Sequence, residues 1–237
     1  MKKLIPSSKL FGCMLLMYGS SVQANAATIA WQTIQDATGN ASDVVTTGTF
    51  FDSAAARSSS DVTLNGVTFN RSSGSGSFTF SNSSNITWSN IQVGPVNGGL
   101  NPPTAWDDSY EALADWQVYR QTPQSITINM SGLTNGQQYL VQIWTGYWDG
   151  ANWRTEFTAG NSSGFLNLGS TAGGTRNSQY VVGTFTADGA TQAILATGDP
   201  AVNGYAMPSF MQVRAIPELS AALLGGLGLL ALLRRRR

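Results

Sequence analysis

The stretch TGYWDGANWRTEF concentrates more potential binding chemistry than any other part of this chain. Tyr147, Trp148 and Trp153 flank Asp149-Gly150, and Arg154 and Glu156 follow directly. Asp-Gly favours a tight turn, which would carry the aromatic side chains to a loop tip. Aromatic faces suit the C–H faces of sugars, while Asp149 and Arg154 can orient hydroxyls, so Tyr147, Trp148, Asp149, Trp153 and Arg154 form a candidate sugar-binding set. The competing reading has Trp148 and Trp153 facing each other across a hairpin and covering the rim of the fold.

A second group of interest is acidic. Asp107, Asp108, Glu111 and Asp115 cluster in sequence, with Glu156 further along. A glycoside hydrolase or lyase would need two such carboxylates across a cleft, roughly 5 to 10 Å apart. The same acids could instead bind Ca²⁺ through oxygen ligands, although no EF-hand spacing is present. Their simplest role is electrostatic, because acids are favoured in the first turn of a helix. A carboxylate enzyme therefore stands as the alternative to a non-catalytic protein without cofactor.

Composition excludes several other chemistries. The chain has no histidine, and its single cysteine is Cys13. Residues 27–215 thus contain no thiol nucleophile, imidazole base, disulfide or Cys/His metal site, and serine chemistry lacks its usual base. In that interval six arginines stand against twelve acidic residues, a net charge of −6, and the neutrality of the full chain comes from its two ends. An acidic domain without a basic patch repels nucleic acid, so no nucleic-acid partner is expected.

Elements that would position these residues read as all-β. Asn65-Gly66 lies between Val62-Thr63-Leu64 and Val67-Thr68-Phe69, the strongest short hairpin signal, since both turn positions need positive φ. Further short runs are 28–34, 46–51, 77–80, 126–130, 139–144, 180–185, 192–196 and 210–214. Gly, Ser, Asn and Pro punctuate them, a texture that predicts an antiparallel sandwich or barrel. One helix is expected in TAWDDSYEALADWQ, where Trp106, Tyr110, Leu113 and Trp116 or Gln117 follow helical spacing and would cap one end of the sandwich.

Both termini read as routing segments. Lys2, Lys3 and Lys9, the apolar run Leu10–Tyr18 and the small-residue site Ala24-Asn25-Ala26 give a signal peptide over 1–26. A lipoprotein signal at Leu10-Phe11-Gly12-Cys13 is the alternative. At the other end, Leu219–Leu233 is an uncharged run of fifteen residues followed by Arg234, Arg235, Arg236 and Arg237. As a helix it measures about 22 Å, a short span for a hydrocarbon core of about 30 Å. Snorkelling arginines would extend it and hold that end on the cytoplasmic side.

A Pro-Glu junction, a short apolar helix and a terminal arginine cluster resemble the PEP-CTERM sorting signal. The resemblance covers residues 216–237, with Pro217 and Glu218 at the junction and Arg234 to Arg237 closing it; Leu219 stands where a second proline is usual. It implies a secreted bacterial surface or matrix protein that meets the export machinery, an exosortase-type membrane protease and, through its tail, the membrane.

The domain between 27 and 215 carries a second resemblance. In Leu133-Thr134-Asn135-Gly136-Gln137-Gln138-Tyr139, a tyrosine follows a turn glycine by three residues, as in the corner of fibronectin-type and jelly-roll sandwiches whose hydroxyl ties back to the loop. With Asn65 to Phe69 and Gly183 to Asp188, the middle of the chain is similar to PEP-CTERM surface proteins with jelly-roll domains. That resemblance brings no catalytic residues. N-terminal sequencing of the exported protein is expected to begin at Ala27, or at Asn25 if cleavage follows Ala24, whereas a lipid-modified Cys13 would indicate the alternative signal.

Overall fold

The computed structural model describes residues 26–56, 60–71, 78–79, 85–92, 106–114, 118–146, 153–167, 178–202 and 204–217. The first strands in chain order are β1 (Ala30–Trp31), β2 (Gln35–Asp36), β3 (Thr49–Ala55), β4 (Val62–Leu64), β5 (Val67–Phe69), β6 (Phe78–Thr79) and β7 (Ile86–Ser89). The helix α1 (Asp108–Ala114) follows, then β8 (Arg120–Gln121), β9 (Ser125–Met130), β10 (Gln138–Thr145), β11 (Arg154–Ala159) and β12 (Asn161–Asn167). The remaining strands are β13 (Gln179–Thr186), β14 (Gln192–Gly198), β15 (Tyr205–Ala206) and β16 (Pro208–Ile216). The protein is all-β apart from α1 and two 3-10 turns among the described residues.

Two six-stranded antiparallel sheets account for most of this. The inner sheet runs β1-β13-β10-β16-β3, with β2 also pairing β13, and the open sheet runs β12-β11-β14-β9-β7-β6. Inward side chains of both, including Val141, Ile143 and Val213 from one and Ile128, Phe157 and Ile194 from the other, form one core. Period-2 alternation explains the open sheet, since β9, β11 and β14 bury every second residue.

The inner sheet departs from alternation. In β10 every residue from Tyr139 to Thr145 is buried, and in β16 every residue from Pro208 to Arg214. Such strands are buried on both faces. The second cover is a layer made by the β4–β5 hairpin and α1, whose Val62, Leu64, Tyr110 and Leu113 pack with Trp144 and Phe210. Trp144 stacks on Phe210 at 4.3 Å between centroids, and Phe69 meets both rings edge-on. α1 is the expected helix, but it covers the outer face of the inner sheet instead of capping an end of the sandwich; Trp106, Tyr110 and Leu113 face this layer, and residues 115–117 lie outside the described residues.

Two local expectations hold in detail. Asn65 and Gly66 have φ of 50° and 73°, the positive values that a two-residue hairpin turn demands. The Tyr139 hydroxyl accepts the Thr134 backbone N–H at 2.9 Å, which ties the corner to its loop. By contrast, β2, β7, β8, β11, β12 and β15 lie outside the runs expected to be strands. β16 also continues through Ile216, one residue beyond the expected domain edge at 215. Residues 1–25 of the expected signal peptide 1–26, and residues 218–237 of the expected sorting segment 216–237, lie outside the described residues. Among the described residues no helix is long and apolar enough to cross a membrane.

Tyr110 links the layers. Trp144 donates its indole N–H to the Tyr110 hydroxyl at 2.8 Å, and burial, then the neighbouring Asp43 carboxylate, push the Tyr110 phenol above its ordinary value. Tyr110→Phe leaves the Trp144 N–H buried without an acceptor, an expected loss of about 1–3 kcal/mol in denaturant unfolding. A phenol kept protonated in the fold stabilises it fully below the unfolded tyrosine pKa. The wild type should therefore lose stability as pH rises above about 10, and Tyr110→Phe should lose it less steeply.

Candidate functional site

The sequence-expected site divides when it is placed on the fold. Tyr147, Trp148 and Asp149 lie outside the described residues. Trp153 immediately precedes β11 and Arg154 opens it, so alternation sends them to different places. Arg154 shares a face with Glu156 on the outer surface of the open sheet, while Trp153 joins aromatic residues at the end of the sandwich.

That aromatic group is contributed by three separate parts of the chain. Trp153 lies 4.5 Å from Tyr205, centroid to centroid, and Tyr205 lies 5.7 Å from Tyr119 in an edge-on contact. All three are half-buried. The shelf exists because β8 and β15 form their own two-stranded ladder, in which Tyr205 pairs with Gln121 and Ala206 with Arg120. Tyr119 immediately precedes β8 and lies two residues from Gln121, so both stand on the side of Tyr205.

A polar frame holds Tyr205 in place. Gly204 presents its carbonyl to the Thr122 backbone N–H and hydroxyl, each at 3.1 Å. The buried Thr155 hydroxyl donates to the Tyr205 carbonyl at 3.4 Å and accepts the Met207 N–H at 2.9 Å. Gly198 lets the strand pass underneath, because a Cβ there would sit 2.7 Å from the Gly204 and Tyr205 backbone.

Asp199 is the keystone of that frame. One carboxylate oxygen accepts the Ala201 N–H at 2.8 Å, the other pairs with the Arg154 guanidinium, and its backbone N–H donates to the Arg154 carbonyl at 3.0 Å. Asp199 is almost wholly buried, whereas the Arg154 side chain is 39% exposed. The guanidinium also lies 5.6 Å over the Phe165 ring. Arg154 therefore anchors the loop that presents Tyr205. Tyr119, Asp199 and Tyr205 carry no local signal in sequence, since nothing in VYRQ, TGDP or NGYAM marks them.

The acidic cluster is arranged differently. Asp107, Asp108 and Glu111 belong to the start of α1, where Asp107 accepts the Ser109 N–H at 2.9 Å. α1 covers the outer face of the inner sheet, and Glu156 lies on the outer face of the open sheet, so both sheets separate them. Asp115 lies outside the described residues. Among the described residues no three carboxylates gather where they could hold a metal ion.

Compared with known proteins, the chain matches no family model, no curated protein and no solved structure. Asp199→Ala should release the loop before Tyr205 and leave Arg154 unpaired. Because the arginine is partly solvated, the expected cost is about 1–2 kcal/mol, well below that of breaking a fully buried pair, and thermal unfolding would measure it.

Proposed function

We propose that this chain is a non-catalytic, exported cell-surface or matrix protein that binds polysaccharide through the Trp153–Tyr205–Tyr119 shelf. Its C-terminal segment is the sorting signal, read by an exosortase-type membrane protease at Pro217-Glu218, with Leu219–Leu233 as the membrane helix and Arg234 to Arg237 as its cytoplasmic stop. The observation that carries the binding reading is the half-buried aromatic trio beside the Arg154–Asp199 pair. Aromatic walls with a few fixed polar groups are the make-up of a small-ligand site.

The fold proposed with this function is a jelly roll. Strand order supports it: β3-β16-β10-β13 in the inner sheet faces β9-β14-β11-β12 in the open sheet. In chain order the strands cross between sheets at almost every step, with β11–β12 the one hairpin among these eight. That is the double Greek-key pattern of such sandwiches. β6 and β7 extend one sheet, and β1 and β2 the other. The routing role rests on the residue order at the two termini.

Glycan-array and polysaccharide pull-down experiments on the purified exported protein test the binding. Retention of at least one polysaccharide is expected, weakened about tenfold or more by Trp153→Ala or Tyr205→Ala, which corresponds to about 1.4 kcal/mol of lost contact. Failure to retain any polysaccharide, or variants that alter only stability, would overturn it. Mass spectrometry of the mature C-terminal peptide tests the sorting, with processing expected near Pro217-Glu218.

A further inference from the structure

The direction of β16 fixes which end of the domain meets the tail. β16 is flanked by β10 and β3, and it ends against Gln138 of β10 and Thr49 of β3. Gln137 donates its side-chain amide to the Ile216 carbonyl at 2.6 Å, so the strand is held to its last residue. Only Pro217 and Glu218 then separate it from the apolar run that begins at Leu219. Two residues span at most about 7 Å.

The loops around that exit are 45–48, 131–137 and 187–191. The Arg214 guanidinium donates to the Thr47 and Gly48 carbonyls at 2.9 and 2.8 Å. Gly136 donates to the Ala187 carbonyl and Leu133 to that of Ala190. Across these three loops the only charged residue is Asp188, in a domain whose net charge is −6. Phe50, 44% exposed, stands beside them at the margin of β3. The expected mature N-terminus lies at the same end, since Gln192 at the start of β14 donates to the Ala27 carbonyl at 2.9 Å. Trp153, Tyr205 and Tyr119 belong to the other end, where β16 begins at Pro208 and Gly146 donates to the Met207 carbonyl.

The geometry points to a docking surface for a phospholipid bilayer: loops 45–48, 131–137 and 187–191 rest on the headgroups, and the aromatic shelf faces away from the membrane. This rests on the reading of residues 219–237 as a membrane segment. Until the chain is processed at Pro217-Glu218, a tether of two residues keeps the domain from lifting away unless β16 is pulled out of its sheet. Nine residues of β16 place the shelf about 30 Å further out. Near-neutrality of the docking loops lowers repulsion from an anionic lipid surface, which a face bearing the domain's average charge would suffer. Phe50 can enter the headgroup boundary, where apolar side chains gain from burial.

Full-length protein in phosphatidylethanolamine–phosphatidylglycerol vesicles tests this. In a Cys13→Ser background, a fluorophore is placed at Thr134→Cys or at Ala201→Cys, both exposed positions. Vesicles carry a headgroup-spin-labelled lipid as quencher. Emission at position 134 should be strongly lost and that at 201 retained. Flotation of the same samples reads the tail separately. Protein that floats with the vesicles but is quenched equally at both positions, or at neither, overturns the seating and leaves the membrane tail standing. Protein that does not float overturns both.

Discussion

Burial of the inner sheet on both faces is the constraint from which most of the structure follows. A strand sealed above and below has no water for its polar side chains, so each must find a partner inside. Gln142 and Gln212 lie side by side on β10 and β16, and Gln212 donates to Gln142 at 2.8 Å. Both then reach the segment that precedes β3: Gln142 donates to the Asp43 carbonyl at 2.7 Å and accepts the Val45 N–H at 3.0 Å, while Gln212 donates to the Val45 carbonyl at 2.8 Å. Arg214 completes the row on Thr47 and Gly48, and burial lowers its pKa from the ordinary guanidinium value. The polar half of that face is thus roofed by backbone 43–48. The apolar half is roofed by α1 and the β4–β5 hairpin.

This division also decides which aromatic rings stay partly exposed. Trp144, Phe210, Phe69, Trp106 and Tyr110 are consumed by the roof, so these large aromatics are structural. Tyr119, Trp153 and Tyr205, at the end of the sandwich, are left half-buried, where neither sheet nor roof covers them completely. Asp199 has a comparable double role. By pairing with Arg154 it neutralises its own buried charge and simultaneously sets the loop from which Tyr205 projects.

Local chemistry made some of this readable from sequence alone. Asn65-Gly66 could only be a tight turn, and the spacing from Gly136 to Tyr139 encoded a corner whose hydroxyl contact is found at Thr134. The period of Trp106, Tyr110 and Leu113 located α1 because one face of a short helix had to be apolar. The β11–β12 hairpin escaped notice for an equally physical reason. Arg154, Glu156 and Thr158 alternate with Thr155, Phe157 and Ala159, and Asn161 to Gly164 resemble a linker, so few apolar residues announce the pair. Tyr119 and Tyr205 were hidden altogether: each lies on or beside a strand of two residues, and only the long-range ladder between β8 and β15 brings them into contact. The double-sided burial of β10 was written in its sequence as an almost unbroken run, YLVQIW, with a single glutamine marking the polar row.

The place of β16 has a consequence for the time course of folding. This strand lies between β10 and β3, yet it follows every other described strand in the chain. Until residues 208–216 have been synthesised, β3 has no neighbour on its long side and β10 lacks one of its two ladders, so the double layer cannot close. Pairings such as Ala55 with Phe210 and Ala30 with Thr184 join distant parts of the chain, which makes their formation slow as well as late. The double layer therefore stays unclosed for nearly the whole of the described chain, and it locks only once this last described strand arrives.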